Sequence, residues 1–554
     1  MSRLHATDTT TPPTNDHISD DFSDSPVHVP GHSLRWTTAN VDEGLPGIVT
    51  PLTWSLYFPP TEQTMRDCWV DLGVMPRSSR PIPEDVDRRF LSVAFGHAIA
   101  NVDNMGQMAA RVPGGSAAMM EEQLFGSVQA GGLPEPRGWA KVRRYPIVAI
   151  KFPIALRRAT KEFRFMAAET EQWWRTTVNN LAEANLEEAL ATLVEARAMF
   201  ERGLSVHMVL SMAAQGLMGQ VENMAVAAGL PSGGELIKSD EGTAEFELVR
   251  DLWRLSRDEI DIPTFCDAHG YHGSREGLVD SVVWRENPTA VATLVERYRN
   301  RQGFEDVDAL VARRRTEHAE SVRRLHAGLR PVRRRVADVL LAVASHVPAW
   351  RETGRANILR GVDVARASAR VVGARLAESG RLRRPEDVFF LTIDELTERN
   401  SQDLTALVDH RRAQHRAYQS IELPHVWRGV PTPVTATPSP IDGVAPEVSI
   451  SGLGVSAGIA EGVVKVITDL DDADLDDGTV MVCKATDPSW ASLFPLAVAV
   501  VTDVGSAMSH AAIVCRELGL PCVANTRSGT TDLSDGMLVR VDGSTGVVEI
   551  LSAR

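Results

Sequence analysis

The hydrophobic positions of this chain follow two different periods, one in its long central part and another near its end. Over 155–230 apolar residues recur every three or four positions, alanine is frequent and proline is absent. That spacing predicts long helices, and it returns over 289–380. Short apolar runs separated by turn dipeptides predict strands after about position 450. The expected fold class is therefore α+β and multidomain, with a largely α-helical domain followed by a small β/β/α domain.

The final part of the chain carries five runs of strand length. They are rich in β-branched and aliphatic residues, and several are separated by Asp-Gly turns. The predicted strands are 463–467, 479–483, 496–502, 538–541 and 547–551.

A strand, a turn and a helix are predicted in succession after position 496. Gly505 follows the apolar run and belongs to a turn. Ser509 is a suitable cap for a helix that begins at His510, and Gly519 followed by proline ends that helix. The imidazole of His510 is expected to lie at a helix N-terminus, open among small residues.

A histidine in this position suits phosphoryl chemistry. Neutral imidazole is a nucleophile near neutral pH. The unpaired N–H groups and partial positive charge of a helix N-terminus favour a bound phosphoryl group. The alternative, which the residues alone leave open, is a helix-start histidine whose ring is satisfied by local hydrogen bonds.

Composition shifts divide the chain into four segments. The first is rich in Thr, Asp, Ser and Pro and predicts a disordered tail. The third holds six prolines within 23 residues and predicts a semi-rigid spacer that lets the last domain move as a body. The predicted segments are 1–33 (acidic tail), 34–422 (mainly helical acceptor or substrate-binding domain), 423–449 (Pro-rich linker) and 450–554 (final domain).

Charge and cysteine content narrow the function classes. The net charge of −15 argues against nucleic acid as a partner. No segment has the length and apolarity of a membrane span, and the first residues lack the apolar core of a signal peptide. The five cysteines form no CxxC pair or zinc spacing. They predict reduced thiols in a cytoplasmic protein, and no metal site is expected.

Residues 501–521 resemble the phosphohistidine signature of the phosphoenolpyruvate-utilising enzymes without a gap. The shared pattern is Ser-His-Ala-Ala-Ile-Val, one residue, Arg-Glu, one residue, Gly-Leu-Pro. The resemblance implies that 450–554 is a swivelling phosphohistidine domain and that His510 is its catalytic phosphoryl carrier. Residues that would support the phosphohistidine are Ser509, Gly505, Arg516 and Thr486.

Several earlier segments resemble the acceptor domain of rifampicin phosphotransferase-like proteins. The clearest are the Leu-Pro-Gly-x-x-Thr-Pro-Leu-Thr-Trp-Ser stretch at 45–55 and the His- and Gly-rich segment at 265–276. In the second segment Tyr271 and His272 replace the usual His-Arg, so contacts made there in the family must differ. Core packing and a polar turn between helices remain the alternatives. The candidate acceptor-binding residues are Thr53, Trp54, His97, His269, Tyr271, His272 and Glu276.

The sequence shows no glycine-rich nucleotide loop and no stretch resembling an ATP-grasp domain. The resemblance therefore implies one subunit of a split, dikinase-type phosphotransferase, as in phenylphosphate synthase. A separate ATP-grasp subunit would bind ATP and Mg, with no cofactor held tightly by this chain. His510 would take the β-phosphoryl group and pass it to a hydroxyl of a small organic acceptor. Met and Trp in the helical domain hint at an aromatic or apolar acceptor.

Two other functions remain open at this point. One is a non-catalytic binding module with the same fold. The other is a phosphotransferase charged by phosphoenolpyruvate instead of ATP.

Overall fold

A computed structural model describes residues 34–552 except for short gaps. The gaps are 40, 42–43, 126–127, 129–130, 231–232, 234–235, 238–243, 301–306, 399–403, 433, 436–448, 469–474, 487 and 507–508. The predicted tail over 1–33 and most of the predicted linker lie outside the described residues.

The helices account for most of the described chain before position 420. Their bounds are α1 (Pro51–Asp71), α2 (Val102–Ala109), α3 (Ala117–Phe125), α4 (Trp139–Val142), α5 (Tyr145–Leu181), α6 (Leu186–Ala227), α7 (Ala244–Ser256), α8 (Ile262–His269), α9 (Pro288–Asn300), α10 (Val307–Gly328), α11 (Pro331–Ala344), α12 (Val347–Glu378), α13 (Ile393–Thr397), α14 (Leu404–Tyr418), α15 (His510–Leu518) and α16 (Gly529–Asp532). The helical periods over 155–230 and 289–380 are thus confirmed. None of the described helices combines the length and the apolarity that crossing a bilayer requires.

The long helices α5, α6 and α12 form the scaffold of the helical region. α6 begins at a capping box in which Asn185 accepts from the N–H of Glu188, whose side chain bonds back to the cap. α12 packs along α6, with Gly361 set against Phe200 where a side chain would have little room. Buried aliphatic side chains from these helices form a continuous core. This packing fixes where the first turns of α12 point.

The helical region also contains a small antiparallel sheet that the hydrophobic pattern did not reveal. Its strands and those of a neighbouring two-stranded ladder are β1 (Arg35–Thr37), β2 (Leu91–Ala94), β3 (His97–Asn101), β4 (Ile421–Glu422), β5 (Val426–Arg428) and β6 (Val434–Thr435). The order of the larger sheet is β2-β3-β1-β5. Because β5 pairs with β1, residues 426–428 are part of the helical region's sheet. Their prediction as spacer was wrong, since prolines flank a strand here without preventing it.

The last part of the chain forms an eight-stranded mixed sheet. Its strands are β7 (Ser449–Ser451), β8 (Leu453–Ser456), β9 (Ile459–Ile467), β10 (Thr479–Cys483), β11 (Ala499–Thr502), β12 (Cys522–Ala524), β13 (Leu538–Asp542) and β14 (Val547–Ser552). The order is β7-β14-β13-β9-β10-β11-β12-β8, and the four strands β9-β10-β11-β12 are parallel. All five predicted strands exist, but the prediction for 496–502 began too early. Phe494–Leu496 is a 3₁₀ turn that buries its apolar side chains without joining the sheet.

The final domain, which we call the carrier domain, shares a core with the helical region. One face of its sheet buries Val480, Val482 and Val501 in a core of the domain's own. The other face packs on α15 and, beyond it, on apolar side chains of α7 and α9. Hydrogen bonds between described residues also cross this boundary. The Tyr298 hydroxyl donates to the carbonyl of Ser492 at 2.8 Å, and the Asn525 side chain donates to the carbonyl of Phe125 at 2.9 Å.

Candidate functional site

The residue at the centre of the candidate site is His510, the first residue of α15. Ser509 adopts an extended conformation as N-cap, and its Oγ accepts from the N–H of Ala512 at 3.4 Å. The same hydroxyl donates to the carbonyl of Ser506 at 2.9 Å. Gly519 closes the helix in the left-handed conformation with φ 72°. The predicted cap, start and stop of this helix are confirmed.

The imidazole of His510 is not open, and that expectation was wrong. The residue is 1% exposed. The helical region covers the ring, because α15 contacts α7 and Glu352 of α12 lies beside the imidazole. Within the carrier domain the ring of Phe494 lies nearby, with centroids 6.1 Å apart. His510 is therefore enclosed at the boundary between the two regions.

Two carboxylates of the helical region face this imidazole. Glu352, near the start of α12, places a carboxylate oxygen 3.7 Å from Nδ1 of His510. Glu245, in the first turn of α7, completes a group of three in which one ligand-type atom from each residue lies within 4.8 Å of the others. Glu245 is 2% exposed and Glu352 is 1% exposed. Three regions distant in sequence thus converge on one buried point.

The polar atoms at this point lack partners. Among the described residues, one carboxylate oxygen of Glu245, one of Glu352 and both ring nitrogens of His510 are buried without a hydrogen bond. Buried polar atoms are normally paired, because leaving one unpaired costs about 1–3 kcal/mol. A cluster of unpaired polar atoms in a folded chain is typical of a site that receives a ligand or a reacting group.

The ionisation states of the three groups differ. Burial lowers the pKa of His510, although the nearby charge of Glu352 opposes this, so the ring is neutral. Burial and the negative charge of Glu352 raise the pKa of Glu245 well above its usual range. Burial would also raise the pKa of Glu352, but the proximity of His510 and the charges of Arg355 and Arg351 outweigh it and lower that pKa. Burial thus disfavours the charged forms of His510 and Glu245, whereas the basic groups around Glu352 favour its ionised form.

A cation adjoins the cluster. Arg355 lies one turn after Glu352 on α12 and is half-buried. Its charge acts on His510 and Glu352 and also on Glu276. Within the described part of the chain it forms no salt bridge. A guanidinium placed between these groups without a fixed partner can bind a phosphoryl oxygen.

The predicted phosphohistidine-support residues lie on the carrier domain around α15. A Cβ at Gly505 would lie 3.3 Å from Ser509 Oγ and 3.1 Å from Thr502 Oγ1, so the turn has little room for a side chain. Thr486 is buried. Arg516 donates from Nε to the carbonyl of Val455 at 2.7 Å, a contact within the same domain. Whether they support a phosphohistidine stays a prediction.

The segment around Tyr271 and His272 is brought together as a buried cluster. His272 Nδ1 lies 2.7 Å from a carboxylate oxygen of Glu276. Burial lowers the pKa of His272 to about 3 and raises that of Glu276 to about 8, so the contact is a hydrogen bond between neutral groups near neutral pH. His269 pairs with Asp251 at 3.0 Å. Electrostatic repulsion between the protonated forms of His272 and His510 contributes to the lowered pKa of His510, so this cluster lies close to the three-residue site.

The remaining acceptor-binding candidates make structural contacts. Tyr271 is buried beneath Arg360, whose Cζ lies 5.2 Å from the ring centroid. Thr53 Oγ1 accepts from the N–H of Val279 at 3.1 Å, which ties α1 to the loop after Glu276.

Two further candidates lie in separate surroundings. Trp54 is 4% exposed and stacks on Phe58 with ring centroids 4.8 Å apart. His97 Nε2 lies 3.0 Å from the carbonyl oxygen of Ile421. Their role in acceptor binding stays a prediction.

Sequence reasoning did not select four residues near His510 as site residues, namely Arg351, Glu352, Arg355 and Glu245. A pattern in the sequence could have indicated three of them. An Arg-Glu pair, followed one turn later by a second arginine, stands near the start of a helix at Arg351, Glu352 and Arg355. Glu245 carries no such signal, because it is one of many glutamates at a helix start.

Two family models match parts of the chain. Residues 475–546 match the PEP-utilising enzyme, mobile domain, and residues 259–352 match the rifampicin phosphotransferase fourth domain. The first match contains His510, and the second ends at Glu352. The carrier domain is therefore a mobile domain of the phosphoenolpyruvate-utilising kind. The helical region that precedes it in the chain is similar to part of the rifampicin phosphotransferases.

Curated proteins show the same likeness. A rifampicin phosphotransferase of Streptomyces sviceus is 33% identical over 309 residues, which cover 54% of this chain and 35% of the relative. An uncharacterized phosphotransferase of Bacillus subtilis, YvkC, is 37% identical over 191 residues, covering 33% of this chain and 23% of the relative. The chain thus spans about a third or less of the length of these relatives. Among solved structures, Thermococcus kodakaraensis aconitase X is 20% identical, covers 19% of this chain and 98% of its own, and has a TM-score of 0.17.

Proposed function

We propose that this chain carries a phosphoryl group on His510 and delivers it to a hydroxyl of a small organic acceptor held by the helical region. One observation supports this above the others. A neutral histidine on a phosphoenolpyruvate-type mobile domain lies against an ionised carboxylate of the helical region, 3.7 Å away. The likeness to rifampicin phosphotransferase supports the same reaction class.

The docked conformation suits delivery, the transfer of the phosphoryl group from His510 to the acceptor. It does not suit charging, the phosphorylation of His510 by the donor. His510 is 1% exposed, so a nucleotide cannot approach its ring in this arrangement. Charging requires the carrier domain to leave the helical region and dock elsewhere. We propose that the donor is the β-phosphoryl group of ATP, bound with Mg on a separate ATP-grasp subunit. Domain motions of this kind commonly gate such transfers.

The residues at the boundary have distinct parts in the proposed transfer. The acceptor oxygen forms a bond to phosphorus while the bond from phosphorus to the His510 nitrogen breaks. The hydroxyl proton passes to Glu352, which is ionised and within reach of the imidazole. Arg355 stabilises the charge on the transferring group, and positioning in a buried site supplies much of the acceleration.

The starts of two helices strengthen this assignment. α15 begins at His510, and α7 begins one residue before Glu245. The N–H groups of both first turns favour a negatively charged group between them.

The acceptor is proposed to be aromatic or apolar. Large apolar side chains are exposed on α4 and α5, where Trp139 is 78% exposed, Ile150 67% and Phe165 65%. We propose that the apolar part of the acceptor binds along these side chains.

The direct test is labelling of His510. The chain is incubated with a candidate ATP-grasp subunit and ATP labelled at the β-phosphoryl group, and incorporation into the chain is measured. We expect acid-labile label in the native chain and none in His510→Ala. The matched control is His410→Ala, which removes an exposed histidine of α14 and should label fully. Label that persists in His510→Ala would overturn the assignment, and label from phosphoenolpyruvate but not from ATP would replace the proposed donor.

A further inference from the structure

Glu245 and Glu352 form a pair of buried carboxyl groups beside His510. Neither forms a salt bridge with a lysine or arginine in the described part of the chain, and the basic side chain in closest contact is His510, whose Nδ1 lies 3.7 Å from an oxygen of Glu352. One oxygen of each carboxylate lacks a hydrogen bond. Both oxygens and a ring nitrogen of His510 lie within 4.8 Å of one another.

This arrangement conflicts with a phosphoryl group on His510. A phosphoryl group attached to the ring would add nearly two negative charges beside the Glu352 carboxylate. Burial strengthens the electrostatic repulsion between them. Arg355 and Arg351 supply two positive charges near this point, whereas Glu352 and a phosphoryl group together carry close to three negative charges. When the carrier domain is phosphorylated on His510 and docked, the site therefore needs another cation.

The available ligands match one class of cation. Hard divalent cations bind carboxylate and phosphate oxygens, and Mg²⁺ is typically held by one or two carboxylates, substrate phosphate and several waters. Opposite ligands of a cation with bond lengths of about 2.1–2.4 Å lie about 4.2–4.8 Å apart, which is the scale of the gap between these side chains. Zn²⁺ would instead favour the imidazole nitrogen as a ligand.

We propose that Glu245 and Glu352 together hold a divalent cation of the Mg²⁺ class at the docking point of His510, and that the phosphoryl group on His510 supplies further oxygen ligands. The second part rests on the proposed function, whereas the first part depends only on the two carboxylates. The cation would join α7, α12 and the carrier domain. Docking of the carrier domain would then be favoured when His510 is phosphorylated and the metal is present.

Direct binding of Mn²⁺, a spectroscopically visible substitute for Mg²⁺, tests the site in the complete chain. The decrease of the free Mn²⁺ signal in electron paramagnetic resonance is followed as chain is added. We expect one Mn²⁺ per chain, with binding weakened about tenfold or more in Glu245→Gln and Glu352→Gln, a loss of about 1.4 kcal/mol or more. Competition by Mg²⁺ should release the Mn²⁺.

Matched controls lie on the same two helices. Glu247→Gln changes an exposed carboxylate of α7, and Glu378→Gln changes an exposed carboxylate of α12. Both should bind Mn²⁺ like the native chain. Circular dichroism and thermal unfolding show whether each variant is folded, and Glu245→Asp, which keeps the charge, should restore part of the binding.

A second measurement joins the metal to the phosphoryl group. The chain is treated with phosphoramidate, the ³¹P resonance that is missing from treated His510→Ala is assigned to His510, and this resonance is recorded while Mn²⁺ is added. Broadening of the phosphohistidine signal at substoichiometric Mn²⁺, absent in Glu245→Gln, is expected.

The outcomes separate the two proposals. Equal Mn²⁺ binding by the native chain and by both glutamine variants, or no binding at all, overturns the cation site even if His510 is labelled. Mn²⁺ binding through both carboxylates without labelling of His510 by any donor leaves the cation site standing and overturns the proposed function.

Discussion

Nδ1 of His510 and a carboxylate oxygen of Glu352 face each other 3.7 Å apart, although the first belongs to the carrier domain and the second to the helical region. Both residues are 1% exposed. The pair can form only when the two regions are docked. It therefore marks the position in which a group carried on His510 could be handed to a molecule bound by the helical region.

Removing the charge of Glu352 should separate delivery from charging. In Glu352→Gln, label should still enter His510 from the donor, because charging is proposed to occur with the carrier undocked. Transfer to the acceptor should slow by about 10²–10⁴-fold, the usual contribution of a general base. Single-turnover chase of the labelled chain with acceptor measures this step. Loss of charging together with transfer, in a folded variant, would contradict the role given to Glu352. Glu378→Gln on the same helix is the control.

The pKa of Glu276 predicts a pH dependence of stability. Burial raises it to about 8, against the opposing charges of Arg355 and Arg366. The folded chain therefore keeps a proton that the unfolded chain releases near pH 4.3, so the free energy of unfolding should fall as pH rises between these values, by up to about 1.4 kcal/mol per pH unit. In Glu276→Gln this slope should be absent.

Urea unfolding between about pH 7 and 8 isolates the contribution of Glu276, because a histidine with an unfolded pKa near 6.5 is then mostly neutral in both states. His272, whose folded pKa is lowered to about 3, thus adds little slope in this range. An equal slope in the native chain and in Glu276→Gln would show that Glu276 is ionised when folded.

Asp363 is predicted to be essential for stability. It accepts hydrogen bonds from Trp174 at 2.8 Å and Arg366 at 2.8 Å, and its side chain is fully buried. Asp363→Ala leaves the buried guanidinium of Arg366 without its counter-charge and should lower the free energy of unfolding by about 3–5 kcal/mol. Asp394→Ala, which breaks an exposed pair with Arg197, should cost about 1 kcal/mol or less. Chemical denaturation of both variants checks the difference, and similar losses would contradict it.

Two glycines in long helices should respond oppositely to alanine. A Cβ at Gly354 of α12 would lie 2.6 Å from Nδ1 of the buried His207, whereas one at Gly216 of α6 meets nothing within 4 Å. Gly354→Ala should lower stability by about 1–3 kcal/mol through overpacking. Gly216→Ala should raise it by about 0.5–1 kcal/mol, because alanine restricts the unfolded chain more than glycine. Thermal unfolding measures both, and a stabilising Gly354→Ala would show that His207 moves aside without cost.

Local signals in the sequence predicted the element that carries His510. Ser509 as cap, His510 as first residue and Gly519 at the end are all determined by neighbours within one or two turns. The long helices were predicted for the same reason, since their period is visible in any short window. The short strands β1 and β5 were missed because each holds three residues and their pairing joins positions far apart in the chain.

The sequence by itself determined that a histidine stands at the start of a capped helix on a small mixed-sheet domain, because caps, turns and hydrophobic periods act over a few residues. Only the tertiary structure decided what that histidine meets. The approach of Glu245 and Glu352, the burial of the ring and the resulting ionisation states depend on how α7 and α12 pack against the carrier domain. Those contacts join residues more than one hundred positions apart, and no local pattern encodes them.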